Sequence, residues 1–298
     1  MSAAEIAPPA ASPAAPVRQR SAWKAALRKG LRTRGALFGL IVTALVLLLA
    51  LLADVVSPYS PNVQDYDAVL SPPTGQYWFG TDELGRDVLS RTIHGSRVAL
   101  EAGVVSVGLA VLFGTLIGLL AGYLGGFVDA FLMRLTDALW SFPGLVLALA
   151  VGAVLGPGLF NAMLAVGVVF TPIFARLVRG QVLSVREREF VLAARMLGAS
   201  GPRIMGLHIL PNVTTPIVVQ ASVLVAFAII VEASLSFLGL GVQPPTPSWG
   251  SMLRTAYQYL QPAPWLSFAP GVAMFVTVLG LNFLGDGLHR ALDPRGKD

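Results

Sequence analysis

The residue types that perform enzyme chemistry are sparse in this chain of 298 residues, and they are scattered. Cysteine is absent, which excludes disulfides, thiolate metal sites and thiol catalysis. The histidines are His94, His208 and His289. They share no ligand spacing, so we expect no metal centre. The lysines are Lys24, Lys29 and Lys297. None follows a glycine and precedes Ser or Thr, as a phosphate-binding loop requires, so we expect no ATP hydrolysis and no catalytic residue in this chain.

Two isolated side chains remain as candidates for chemistry. Ser200 lies in Gly198-Ala199-Ser200-Gly201, which resembles the short Gly-x-Ser-Gly element of rhomboid proteases. A nucleophilic serine needs a histidine base within reach, and Ser200 lies instead among arginines, so we reject this reading. Glu232 lies late in an apolar block. An intramembrane acid by default suggests a pathway site, although a hydrogen-bonded glutamate that holds the following turn is the interpretation we favour.

The composition indicates an all-α integral membrane protein. Hydrophobic residues make up 55% of the chain and charged residues 12%, against about 25% charged in soluble domains. A helix needs about 20 apolar residues to cross the hydrocarbon, and the apolar blocks predict six transmembrane helices. They are Gly35–Val56, Val98–Gly122, Ala138–Leu155, Leu159–Val178, Val213–Phe237 and Phe268–Leu284. The third contains Pro143.

The positive-inside rule predicts that both termini are cytoplasmic. This orientation places the basic tail 1–34, the loop between the fourth and fifth spans and the tail 291–298 inside. Few cations would then lie outside; they are Arg86, Arg91, Arg97 and Arg254. Between the tails, the sequence divides into a first span with an outer segment, 35–97, and a core, 98–290.

Two outer segments carry local helix signals. In the first, Asp87 is a predicted N-cap and Gly95 a predicted stop for a short amphipathic helix. In the second, Ser248 is predicted to cap a short helix that runs through Tyr259. We also expect Arg97 and Glu101 to form an i,i+4 ion pair.

Glycines recur at every fourth position in the second predicted span. They are Gly114, Gly118 and Gly122. Such a stripe lets another helix backbone approach closely. We favour a neighbour within the same chain, and the alternative is a partner subunit.

The loop between the fourth and fifth spans, residues 185–211, is the most specific feature of the sequence. Phe190, Ala194 and Leu197 are spaced to share one face of a short helix that Gly198 can end. Ser200 can cap a second short helix with Pro202 in its first turn. Two short helices at the mouth of a bundle could fit a groove in a partner protein. The alternative is an amphipathic connector held to lipid headgroups by its arginines.

The same loop resembles the "EAA" signature of permease subunits of ABC importers. That pattern is Glu-Ala-Ala, three residues, Gly, nine residues, Ile, one residue, Leu-Pro. The matching residues are Ala193, Ala194, Gly198, Leu210 and Pro211. Leu192 stands where the pattern has Glu, and His208 where it has Ile. Glu189 lies nearby but outside the motif position, and Ala199 follows the motif glycine.

Other segments are similar to the dipeptide/oligopeptide/nickel branch of these permeases, and to its C-type subunit. The outer-segment residues that carry this resemblance are Gly80, Thr81, Asp82, Gly85, Arg86 and Asp87. Residues 195–200, 208–212 and 232–241 add to it. The resemblance covers roughly residues 22–292.

This resemblance implies a type I importer bundle in the bacterial inner membrane that translocates peptides. It implies a heterodimer with a second permease, two ATPase subunits that bind ATP and Mg²⁺, and an extracytoplasmic solute-binding protein. Loop 185–211 would then couple to an ATPase subunit. No cofactor and no nucleic acid would be bound by this chain itself. The competing hypothesis is an ion-coupled secondary transporter, for which Glu232 alone offers support.

Overall fold

A computed structural model describes residues 33–292, which are mostly helical. The predicted basic N-terminal tail up to residue 32 and the predicted C-terminal tail from residue 293 lie outside the described residues. The helices are α1 Arg34–Leu51, α2 Ala53–Val56, α3 Val88–Leu124, α4 Gly126–Trp140, α5 Gly144–Leu155, α6 Leu159–Val185, α7 Glu189–Met196, α8 Gly201–Ile204, α9 Leu210–Phe237, α10 Trp249–Gln258 and α11 Trp265–Leu292. A π-helical turn, Met205–Ile209, joins α8 to α9.

Five of the six predicted spans are confirmed as long apolar helices. Among residues 33–292, α1, α3, α6, α11 and the continuous unit Gly201–Phe237 are long and apolar enough to cross a membrane. The described chain contains no β-strand, only an isolated antiparallel bridge between Thr81 and Asp87. The architecture is therefore an all-α membrane bundle.

The third predicted span, Ala138–Leu155, is wrong as a single straight helix. The chain there forms α4 and α5, which meet at an angle of 95°. Pro143 lies at the break, because proline disfavours helical geometry in the residue before it and cannot donate a backbone hydrogen bond. α5 has 12 residues, which is about 18 Å of helix and too short to cross the hydrocarbon alone. A sixth crossing exists only if the bent pair is counted as one.

The glycine stripe of α3 packs within the chain, against α6. A methyl group at Gly114 would lie 2.5 Å from Cβ of Phe174, and one at Gly118 would lie 2.6 Å from the Ala175 carbonyl oxygen. One at Gly122 would lie 2.8 Å from Cβ of Val182. The two backbones therefore touch over about two helical turns, as the favoured interpretation predicted. α3 and α6 form the most extensive helix pair of the described chain.

A second glycine contact holds the first helix to the last. Gly39 of α1 lies against the backbone of α11, where a methyl group would be 2.5 Å from the Leu284 nitrogen. Gly280 of α11 lies against Val42 in the same way. α9 packs between this pair and α3, so the bundle is continuous from α1 to α11.

Two local predictions about α3 are wrong. Gly95 does not stop the helix that begins after Asp87, because that helix continues to Leu124. Gly95 is instead a contact point, and Trp249 of α10 packs on it. Arg97 pairs with Asp54 at 2.8 Å rather than with Glu101, and it also donates to the carbonyl oxygen of Ala50. Arg97 thus provides a hydrogen-bond donor for a carbonyl group in the last turn of α1. The spacing between Arg97 and Glu101 in the sequence gives no indication of this contact.

We predict that Gly118→Ala lowers the free energy of unfolding by about 1–3 kcal/mol, because the added methyl forces α3 and α6 apart. Gly108→Ala is the matched control in the same helix, since no atom lies within 4 Å of a methyl there. The control should be neutral or stabilising by up to about 1 kcal/mol. Thermal unfolding of the detergent-solubilised protein measures both. Equal midpoints for the two variants would contradict the close contact.

Candidate functional site

The loop between α6 and α9 begins with α7. Gly198 ends this helix. Gly198 has a backbone φ of +79°, a conformation that favours glycine. The nitrogen of Leu197 donates to the Ala193 carbonyl at 3.0 Å, and that of Ala199 to the Ala194 carbonyl at 3.1 Å. The helix stop predicted at Gly198 is therefore present.

Val191 is the residue that anchors α7 to the core. Val191 is fully buried in the main core, whereas Phe190 is 41% exposed and Leu197 is 89% exposed. Leu197 lies beyond the last residue of this eight-residue helix, so it no longer follows the helical period. Phe190 and Ala194 therefore lie on one helix as predicted, whereas Leu197 does not belong to it.

An apolar surface remains open on this loop. Leu192, Met196 and Leu197 are all exposed, Met196 by 89%. Ala193 is exposed beside them, and Ala194 is half-buried. A contiguous group of exposed apolar side chains marks a contact with a protein or with a membrane. The remaining loop residues that the sequence singled out are Glu189, exposed in the first turn of α7; Ala199 and Leu210, half-buried against the core; and Pro211, exposed.

The second half of the loop is continuous with a membrane helix. α8, the π turn and α9 form one helical unit, Gly201–Phe237. Ser200 has the extended backbone of an N-cap residue, but its side chain makes no capping hydrogen bond. Its hydroxyl has no partner among residues 33–292, so no histidine activates it. The first predicted short helix is therefore present as α7. The second is not a separate helix, because it forms the first turn of the long helical unit Gly201–Phe237.

The loop is attached to α3 as well as to α6 and α9. Arg186 donates to the carbonyl oxygen of Gly122 at 2.8 Å. The guanidinium carbon of Arg195 lies 5.9 Å from the ring centre of Tyr123. A methyl group at Gly201 would lie 3.2 Å from the same ring. Three points of the loop thus contact the last turn of α3.

A bidentate ion pair braces the neighbouring helix α4. Nε and Nη2 of Arg179 lie 2.5 and 2.6 Å from the two carboxylate oxygens of Asp129. Paired bonds of this kind fix both distance and orientation. Sequence reasoning missed this pair, because the two residues lie 50 positions apart and carry no shared motif.

The outer-segment motif folds into a compact turn with buried polar residues. Gly80 and Gly85 both have a φ of +73°, and a methyl at Gly85 would overlap the Asp65 carbonyl group. Thr81 is fully buried, and its hydroxyl accepts from the Ser71 nitrogen at 2.9 Å and donates to the Ala68 carbonyl. The spacing of the motif glycines is thus explained by backbone geometry.

Asp82 is the centre of this turn. Its Oδ1 accepts from the backbone nitrogens of Leu84 and Arg86, each at 3.0 Å. Its Oδ2 lies 2.8 Å from Nε of Arg86 and 3.3 Å from Nε of Arg91. One carboxylate therefore holds two buried guanidinium groups and two backbone donors. Arg91 belongs to α3, so Asp82 also ties the segment to the membrane bundle.

Two further contacts close the segment. Asp87 caps α3 as predicted, with its Oδ2 accepting from the nitrogen and the hydroxyl of Ser90 at 2.8 and 2.6 Å. The hydroxyl of Tyr77 donates to Asp65 at 2.8 Å, and this bond raises the pKa of Tyr77 to about 12. The predicted helix after Ser248 is confirmed as α10, with a reciprocal capping box between Ser248 and Ser251.

Glu232 is 2% exposed near the end of α9. Its Oε1 accepts from the hydroxyl of Ser236 at 2.6 Å. That hydroxyl in turn accepts from the backbone nitrogen of Val242 at 3.0 Å. These are the contacts that the structural interpretation of Glu232 requires, since they fix the turn after α9.

The loop and the outer segment lie at opposite ends of α3. The outer segment leads into Val88, whereas the loop contacts Gly122 and Tyr123. A helix of 37 residues is about 55 Å long, so the two candidate sites are separated by the thickness of a membrane. Any influence of one on the other must pass along α3, α6 and α9.

Comparison with known protein families gives two matches. The profile described as "binding-protein-dependent transport system inner membrane component" matches residues 114–298. The profile described as "N-terminal TM domain of oligopeptide transport permease C" matches residues 21–73. Together they cover the first span and most of the bundle, and residues 74–113 lie between the two matches.

Curated relatives align over nearly the full chain. A dipeptide transport system permease protein from Alkalihalophilus pseudofirmus is 41% identical, over 93% of this chain and 91% of its own length. A di/tripeptide transport system permease protein from Pseudomonas aeruginosa is 42% identical, over 89% of both chains. A glutathione transport system permease protein from Escherichia coli is 44% identical, over 95% of this chain and 93% of its own.

We predict that Asp82→Asn destabilises the outer segment by about 3 kcal/mol, because it leaves buried Arg91 without a charged partner and Arg86 with Glu83 alone. Asp67→Asn is the matched control, since Asp67 is exposed in the same segment and its carboxylate accepts no hydrogen bond from residues 33–292. The control should change stability by no more than about 0.5 kcal/mol. Limited proteolysis of residues 57–87 and thermal unfolding measure the difference. Similar cleavage rates for the two variants would contradict the central role of Asp82.

Proposed function

Because the chain belongs to the family of binding-protein-dependent transport system inner membrane components, it is a permease subunit of an ABC importer, and we propose that loop 185–211 couples it to an ATPase subunit. The chain is a multi-pass protein of the inner membrane. Membership in this family argues against both alternatives from the sequence, the ion-coupled secondary transporter and the intramembrane protease.

Short peptides are the cargo that the comparisons support. The relatives described above are named for dipeptides, for di- and tripeptides and for glutathione, which is itself a small peptide. The chain therefore forms part of a peptide pathway.

The other subunits of the importer are separate chains. An importer of this family comprises permeases, ATPases and a binding protein, and we assign this chain to a heterodimer with a different permease. ATP and Mg²⁺ are bound by two partner ATPase subunits, since no lysine here has a phosphate-loop setting. Residues 33–292 contain no group of three His, Cys, Asp or Glu side chains that could hold a metal ion. We therefore assign no catalysis and no cofactor to this chain.

The open apolar surface on α7 supports the coupling proposal most directly. Leu192 and Met196 lie four residues apart and so share the exposed side of the helix, and Ala193 and Leu197 are exposed beside them. Val191 on the opposite side is fully buried. One side of α7 is therefore packed against the core and the other side is exposed. The exposed side is suited to docking in a cleft of an ATPase subunit.

Leu192 gives this docking surface an apolar character. In the EAA pattern a glutamate stands at this position. Leu192 is 39% exposed and contributes no charge to the surface. Contact with the ATPase would therefore depend on apolar burial around Met196 and Leu197 rather than on an ion pair.

A stiff connection from the loop to the bundle supports the transmission of motion. The loop continues into the helical unit Gly201–Phe237 and contacts α3 through Arg186 and Arg195. Ile204 and Ile209 are buried in the main core at this junction. A displacement of α7 by an ATPase would therefore move α9 with it, and α9 reaches the far end of the bundle.

The orientation that the positive-inside rule predicts is part of this proposal. The loop carries Arg186, Arg188, Arg195 and Arg203, and it would face the cytoplasm, where ATP is. The outer segment around Asp82 would then face the binding protein.

We predict that Gly198→Arg abolishes ATP-driven peptide uptake and reduces the ATPase subunits that co-purify with the permease. The side chain would project from the docking surface, since a methyl at Gly198 has no atom within 4 Å. Gly198→Ala separates the causes, because it adds only backbone strain of about 1–2 kcal/mol at positive φ. It should retain most of the uptake.

Gly75→Arg is the matched control for bulk and charge. A methyl at Gly75 also has no atom within 4 Å, and the residue lies in the outer segment. ATPase retention should be normal in this variant. If Gly198→Arg assembled and transported like the parent, the docking proposal would be overturned.

A further inference from the structure

A polar cleft of about 260 Å³ opens between the outer segment, the end of α9 and α10. It lies at the end of the bundle opposite the coupling loop. Its charged lining residues are Asp82, Glu83, Arg86, Arg91 and Arg254, and apolar contact comes from Val88, Met252 and Leu266. The volume is close to the lower end of the range for small-molecule sites, about 300–1,000 Å³, so a ligand of dipeptide size fits.

Four of the five charged groups already take part in ion pairs with one another. Asp82 holds both Arg86 and Arg91 through Oδ2. Arg86 also lies 2.9 Å from Oε1 of Glu83 through its Nη2. These bonds account for Asp82 and both buried arginines, but they leave one oxygen of Glu83 and the whole of Arg254.

Glu83 presents an acceptor without a donor. Its Oε2 is shielded from solvent and has no hydrogen-bond partner among residues 33–292. Burial, and then the neighbouring carboxylate of Asp82, raise the pKa of Glu83 above its usual range. The side chain is 24% exposed and lines the cleft. A cationic donor is the group that this carboxylate lacks.

Arg254 presents the opposite deficiency. It makes no hydrogen bond or ion pair with any residue of 33–292. Its guanidinium lies against the backbone of Gly239, which has a φ of +89° and no room for a side chain because Arg254 fills that space. Arg254 is solvent-exposed at the edge of the cleft, and its charge has no anionic partner among residues 33–292.

We propose that this cleft binds the two ends of a short zwitterionic peptide, with the ammonium group at Glu83 and the carboxylate at Arg254. This inference rests on the proposed function, which brings peptides to this side of the bundle. A phosphatidylethanolamine headgroup offers the same two charges, so the test below separates it from a peptide.

The test uses the complete transporter without its binding protein, in phosphatidylcholine nanodiscs, with dialanine as the probe. Saturation-transfer difference NMR detects weak binding of so small a ligand. We expect dialanine to bind, and N-acetyl-dialanine and dialanine amide each to bind about tenfold more weakly, since each lacks one charged end.

Two variants assign those losses to residues. Glu83→Gln should weaken dialanine about tenfold but leave N-acetyl-dialanine unchanged, because the ammonium is already missing there. The glutamine still offers an acceptor to Arg86, which preserves the fold. Arg254→Gln should weaken dialanine but not dialanine amide. The matched controls, Glu101→Gln and Arg290→Gln, change exposed residues outside the cleft and should have no effect.

Several results would overturn the proposal. One is dialanine binding that is absent or unaffected by either cleft variant. Another is phosphatidylethanolamine retained by the parent and lost in Glu83→Gln, as measured by native mass spectrometry, which would assign the cleft to a lipid. A third is weaker association of the binding protein with both variants and no effect on dialanine, which would make the cleft a protein contact.

The failure of this inference is distinguishable from that of the proposed function. Uptake of labelled dialanine by the transporter with its binding protein tests the function alone. Uptake without binding to the cleft would leave the function intact and remove only the site. Binding without uptake would retain the site and contradict peptide transport.

Discussion

The close approach of α3 and α6 is the constraint on which the rest of this bundle depends. Helices in lipid gain little from hydrophobic burial, so they associate through close packing and polar contacts. Gly114, Gly118 and Gly122 provide the packing over about two turns. With the two backbones in contact, the last turn of α3 lies beside the end of α6, where the loop begins. The positions of α4, α7 and α9 follow from that junction.

Polar interactions are concentrated at the two ends of this pair. At one end, Asp129 pairs with Arg179, and Arg186 bonds to the Gly122 carbonyl. At the other end, Asp82 gathers Arg86 and Arg91. Between the ends the contacts are small and apolar. The middle of the bundle thus packs through small apolar contacts, and its two ends are held by ion pairs and hydrogen bonds. This arrangement favours movement of whole helices over local bending.

The sequence predicted the apolar spans and the local caps well, because these depend on neighbouring residues. Asp87, Ser248 and the stop at Gly198 are examples in which cap chemistry and backbone conformation carry the signal. The third span could not be predicted, since hydropathy alone does not register the bend at Pro143. Arg97 illustrates the other limit, because its partner Asp54 lies 43 positions away while a plausible partner, Glu101, lies one turn away. Val191 was missed because the loop helix ends before its apolar period can be read.

The π turn at Met205–Ile209 has a consequence for how this chain tolerates changes in length. A π turn holds one more residue than an α-helical turn, and each residue rotates a helix by about 100°. Removing a single residue there would convert the turn to α-helix and rotate everything before it by about that angle relative to α9. The coupling surface would then point to a different side of the bundle with all of its own residues unchanged. Deletion of one residue at this point would therefore reorient the coupling surface relative to α9, whereas a substitution would change only one side chain.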